Sequence, residues 1–67
     1  MYINVSSEFH YHTLTLKVRD GGTLNRYQIN KINSYCSCTN CGREIHDDDG
    51  IKYLVHTDHT GSRLVRD

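Results

Sequence analysis

Cys36-Ser37-Cys38-Thr39-Asn40-Cys41-Gly42 is answered, fourteen intervening residues after Cys41, by His56-Thr57-Asp58-His59-Thr60-Gly61. The reading of this chain turns on that pair. Thiolates and imidazoles clustered at the two ends of a short segment are the donors that a tetrahedral Zn²⁺ selects. The two ends also read alike, which suggests two metal knuckles facing each other across a hairpin. The expected ligands are Cys38, Cys41, His56 and His59. Cys36 is the alternative: with Cys38, Cys41 and His56 it would complete a Cys₃His site, and otherwise it is a free thiol. His46 reads as an exposed side chain before an acidic turn.

Two residues between Cys38 and Cys41 allow both sulfurs to reach one ion at about 2.3 Å. Gly42 permits the left-handed backbone that closes such a turn. A Cys-x-x-Cys pair also serves redox sites of thioredoxin type, but no βαβ pattern surrounds this one. His10 and His12 fall on one face of an alternating stretch, as a two-histidine metal site requires, with no third ligand evident beside them. Asp47-Asp48-Asp49-Gly50 lacks the alternating ligand spacing and terminal glutamate of a calcium loop, and reads as a solvated turn.

Size makes a metal useful. A chain of 67 residues is expected to form one small domain that buries on the order of 60% of the surface its unfolded chain exposes. Apolar residues are 36% of the total, so the core is thin. A structural zinc contributes roughly 10–16 kcal/mol of apparent free energy in small zinc peptides. Three cysteines cannot all pair within the chain, and their tight spacing argues against a secreted disulfide scaffold. Met1-Tyr2-Ile3-Asn4 opens without the basic and apolar regions of a leader, and no run reaches the ~18–20 apolar residues of a membrane span. A reducing cytoplasm is the expected location, with no membrane partner. Eight basic residues balance eight acidic ones, whereas a domain living on phosphate contacts usually carries a basic excess.

Alternation of apolar and polar residues sets the fold class. Ile3 and Val5 share one face of residues 2–6. Residues 9–19 alternate more strongly, with His10, His12, Leu14, Leu16 and Val18 on one side. Asp20-Gly21-Gly22 supplies the positive-φ positions of a hairpin turn. Residues 24–32 fit a returning strand or a short helix, and the turn before them favours the strand. Ile51, Tyr53 and Val55 share a face of another strand, and residues 62–65 form a last one. The expectation is a mostly β chain with little or no helix: a β-rich half, 1–33, as an antiparallel hairpin or sheet, then a zinc-ribbon-like half, 34–67.

Cys38-Thr39-Asn40-Cys41-Gly42-Arg43-Glu44-Ile45, then Tyr53-Leu54-Val55-His56 and Thr60-Gly61-Ser62-Arg63-Leu64, resembles small zinc-ribbon proteins of bacteria and their phages. The resemblance covers residues 36–66. Those proteins typically end the motif in a cysteine, where this chain has Val65, so His59 or Cys36 would have to take the fourth position. The resemblance implies bound zinc and little more. Cys38-x-x-Cys41-Gly42 followed by Asp58-His59 also looks like the opening of an HNH-type nuclease. Only eight residues follow His59, too few for the helix that supplies the remaining catalytic-metal ligand, so a truncated nuclease is the remote alternative.

The functional expectation is a non-enzymatic zinc protein whose metal is structural and which binds another protein, as a regulator or inhibitor of phage or mobile-element type. Phe9, Tyr11 and Tyr27 would offer aromatic surface. The alternative is a nucleic-acid-binding ribbon for transcription regulation, in which Arg19, Arg26, Lys31, Arg43, Lys52, Arg63 and Arg66 line one side and Tyr27 or Tyr35 stacks on bases. An unpaired strand edge leaves monomer and homodimer both open.

Overall fold

The computed structural model describes residues Met1–Asp67. Period-two burial builds its centre. In strand β1, Tyr2–Ser6, the side chains of Ile3 and Val5 are fully buried while their neighbours face outward. Strand β2, Leu14–Lys17, lies antiparallel on one side of β1 and sets Leu16 opposite Ile3. Two-residue strand β3, Thr23–Leu24, comes next in the chain, then helix α1, Arg26–Tyr35. Strand β4, Glu44–Asp47, lies on the other side of β1 with Ile45 opposite Val5. Strands β5, Lys52–Asp58, and β6, Gly61–Arg66, form the closing hairpin. The result is one antiparallel sheet in the order β2-β1-β4-β5-β6-β3.

Alternation predicted a mostly β fold, and the protein is one. Ile3/Val5 and Tyr53/Val55 point inward as their period implied. Both halves of the chain contribute to the same sheet, because β1 pairs with β4 across a sequence separation of about forty residues. The sheet curls. Residues 18–22 carry the chain directly from edge strand β2 to the opposite edge strand β3, so the two edges must approach each other. Gly21 and Gly22 take φ of 91° and 80° in this connection. The Gly22 carbonyl accepts from the Leu64 amide at 2.9 Å, and a Cβ on Gly22 would meet Leu64 Cβ at 3.3 Å.

Three expectations need correction. The positive-φ turn at Gly21-Gly22 forms, but it does not join two paired strands: β2 pairs with β1, and β3 pairs with β6. The long strand over 9–19 shrinks to Leu14–Lys17, leaving residues 7–13 as a loop that holds His10 and His12. The returning strand over 24–32 is a helix instead. Asn25 caps it: its side chain accepts from the Gln28 amide at 2.8 Å while the Gln28 side chain accepts from the Asn25 amide at 3.0 Å. This reciprocal box satisfies two donors that a helix start otherwise leaves unpaired. Ile29 and Ile32, three apart, then share one face and pack on the core. In a strand, a separation of three would have put them on opposite faces of the sheet.

The core comprises Ile3, Val5, Leu16, Val18, Leu24, Ile32, Ile45 and Leu64. No helix is long and apolar enough to cross a membrane.

Candidate metal centre

The site sits where the ends of three elements, β1, α1 and β4, converge. Strand β1 runs out at Ser6, opposite Glu44 at the start of β4. That register brings residues 7–10 alongside the segment leading into β4. Helix α1 ends at Tyr35, and Cys36 caps it with a non-helical backbone of φ −144° and ψ 82°. One group of metal-ligand type results: the donor atoms of His10, Cys36 and Cys41 all lie within 4.8 Å of one another. The edges of a zinc tetrahedron with such donors are about 3.3–3.8 Å, from bonds of about 2.0–2.3 Å. The donors are close enough to bind one metal ion, and their N/S chemistry suits zinc.

Ser7 organises the cluster. Its Oγ stands 3.3 Å from Cys41 Sγ and 3.7 Å from Cys36 Sγ, and it accepts the Phe9 amide at 3.1 Å. With the amide occupying a lone pair, the hydroxyl proton is free to point at a sulfur, as outer-shell donors to thiolates do. The His10 amide donates to the Ser7 carbonyl at 3.2 Å, turning the chain so that His10 faces the sulfurs. The Tyr35 ring lies 4.8 Å from the His10 ring, and its hydroxyl donates to the His12 carbonyl at 2.6 Å, tying the loop to the helix end. Arg43 Nη1 donates to the Cys36 carbonyl at 3.4 Å.

The sulfurs of Cys36 and Cys41 are also in bonding contact, with their Cα atoms 6.0 Å apart, inside the range that a disulfide spans. A disulfide sulfur offers no thiolate, so the pair is either cross-linked or metal-bound, never both.

Of the ligands predicted from spacing, the structure brings Cys41 and the alternative Cys36 together. Cys38 is exposed and unpaired, two residues from Cys36. His56 and His59 do not join the group. His56 lies on β5 beyond the two β4–β5 residue pairs, Ile45–Tyr53 and His46–Lys52, on a part of β5 that pairs with β6 alone. Its Nε2 is 3.5 Å from Asp58 Oδ2, and Arg63 Nη1 is 3.3 Å from the same oxygen. Asp58 has its carboxyl pKa held down at about 2, first by the Thr60 hydroxyl and amide and then by Arg63. Thus Asp58, accepting from Thr60 and Arg63, forms a hydrogen-bonded tip to the β5–β6 hairpin. Gly42 does not adopt the left-handed backbone expected of it; the positive-φ glycines are Gly21, Gly22, Gly50 and Gly61.

His10 is the residue that spacing overlooked. Its partners lie 26 and 31 positions away in the chain, and only the β1–β4 register reveals them. Its neighbour His12 sits 6.1 Å away, ring to ring, but donates nothing to the cluster. His46 is half-buried, 3.5 Å from Ser6 Oγ. In the acidic turn, Asp47 accepts the amides of Asp49 and Ile51 and the Tyr53 hydroxyl, which is the work of a structural turn. Lys52 pairs with Glu44 at 3.2 Å, and Lys31 lies over the exposed Tyr27 ring at 5.4 Å.

No protein-family model matches this chain, and neither does any curated protein or solved structure.

Proposed function

We propose that this chain is a small zinc-binding protein whose metal is structural, and that it serves as a protein-interaction module rather than an enzyme. The observation that carries this reading is the convergence of His10, Cys36 and Cys41 on one point. An ion there would tie the β1–β2 loop to the segment between α1 and β4, two irregular stretches that the sheet does not hold. A thin core gains most from such a staple.

The stapled loop is also where aromatic surface is offered. Phe9 and Tyr11 are 60% and fully exposed on either side of His10. Metal binding would fix the backbone between them, lowering the ordering cost of contact with a partner protein. A host protein bound by a phage or mobile-element regulator is the setting this reading favours, in keeping with the zinc-ribbon resemblance of residues 36–66.

Native mass spectrometry of the reduced protein tests the metal. One zinc per chain is expected, lost in His10→Ala and Cys41→Ser and kept in His56→Ala and His59→Ala. A reduced wild-type chain that takes up no zinc sinks the reading. Affinity capture with and without chelator tests the partner: a protein retained only by the zinc form is expected, and recovery of nucleic acid alone would refute it.

A further inference from the structure

We infer that Cys38 supplies a fourth ligand, so that the ion is closed inside a Cys₃His site made of His10, Cys36, Cys38 and Cys41. This assignment rests on the metal-binding role proposed above and adds what three donors leave open. Structural zinc is almost always four-coordinate, and a missing protein ligand leaves a position for water or substrate. Cys38 is the remaining side chain of ligand type beside the cluster, its sulfur lying outside the group of His10, Cys36 and Cys41. The Cys41 amide donates to the Cys38 carbonyl at 3.1 Å, closing a four-residue turn. Such a turn holds its first and last Cα atoms within about 7 Å.

Cys38 is therefore tethered on one side to Cys41 and on the other, through Ser37 alone, to Cys36. It also shares a cavity with them. An open depression of about 330 Å³ is walled by Phe9, His10, Tyr35, Cys36, Cys38 and Cys41. Every donor of the cluster borders it, and so does Cys38. No aspartate, glutamate or second histidine borders it; His12, 6.1 Å from His10 ring to ring, lies outside it. In the state with Cys36 and Cys41 in contact, Cys38 is left as an exposed free thiol. In the reduced chain, with Cys36 and Cys41 as free thiols, rotation of the Cys38 side chain into the depression would exchange that exposure for a metal–thiolate bond, with loss of the thiol proton to solvent.

The test uses the full, reduced chain loaded with Co²⁺ in place of zinc, because thiolate-to-cobalt charge transfer scales with the number of sulfur ligands. The wild type is expected to show the near-ultraviolet band of three thiolates, and Cys38→Ser to lose about a third of its intensity and bind at least tenfold more weakly. His56→Ala and His59→Ala should match wild type. A Cys38→Ser spectrum and affinity equal to wild type would overturn the assignment while leaving metal binding intact. A wild type that shows no thiolate band on cobalt addition would overturn it together with the metal-binding role.

Alkylation of the wild-type protein covers the case in which the variant fails to fold. Cys38 should resist iodoacetamide in the zinc form and react after chelation. Rapid modification of Cys38 with the zinc still bound would likewise overturn the assignment.

Discussion

Replacing Ile32 by alanine probes the contact that seats α1 and, through it, Cys36. Ile32 is the one fully buried residue of the helix, 1% exposed, and sits in the core cluster with Ile3, Val5 and Ile45. The change removes three buried carbons, about 2.4 kcal/mol at roughly 0.8 kcal/mol each. A residual cavity adds to this, so the total should reach about 3–4 kcal/mol, within the 2–5 kcal/mol range of buried Ile-to-Ala changes. For 67 residues, an unfolding entropy of about 2.1 cal/mol/K per residue gives roughly 140 cal/mol/K, so 3 kcal/mol lowers Tm by about 20 °C. That is a large part of the stability of a domain this size, about 3–10 kcal/mol. The assay is thermal unfolding followed by circular dichroism, on metal-loaded protein, with Tyr27→Ala on the same helix as comparator. Tyr27 is 65% exposed, and its loss should shift Tm by only a few degrees. If Ile32→Ala and Tyr27→Ala cost the same few degrees, α1 does not close the core and the placement of Cys36 needs another explanation.

Two further outcomes follow from the site and the distal turn. Asp58 has its pKa depressed to about 2 in the folded protein, against an ordinary 3.8, chiefly by the Thr60 hydroxyl. Its stabilising contribution is therefore present above the ordinary value and lost as pH falls through about 2. Wild-type Tm should fall more steeply than that of Asp58→Asn between about pH 4 and pH 2; parallel curves would contradict the Asp58 network. Hydrogen peroxide should convert the Cys36 and Cys41 thiols to a disulfide, the peroxide being reduced to two waters, and release the metal as its thiolates are consumed. Peptide mapping should find Cys36 joined to Cys41 and Cys38 alkylatable, whereas a Cys38-containing disulfide as the main product would refute the pairing.

The legible part of this chain was its alternation. Ile3/Val5 and Tyr53/Val55 could be assigned to buried faces because period two is a local property, visible in five consecutive residues. The helix was less so: Tyr27 and Ile29 fit a strand as well as a turn of helix, and the decision lay in the Asn25–Gln28 box, two side chains whose value appears only when both bond at once. Cysteine spacing pointed to metal chemistry at Cys38 and Cys41, with Cys36 as the alternative, and the structure gathers Cys41 and Cys36 with an imidazole while leaving Cys38 exposed beside them.

Which imidazole joins them was a tertiary matter. His56 and His59 match the cysteine segment in rhythm, but rhythm along a chain does not measure distance across a sheet. The hairpin that carries them extends past β4, and its tip is committed to the Asp58 turn. His10 reaches the sulfurs because β1 and β4 pair antiparallel, so that the residues after Ser6 and those before Glu44 lie side by side. Near-neighbour pattern alone sets the β class, the inward faces and the thiol-rich segment. The strand order, and with it the histidine that faces the thiols, depended on which non-local pairing buries Ile3, Val5 and Ile45 together, and only the folded chain makes that choice.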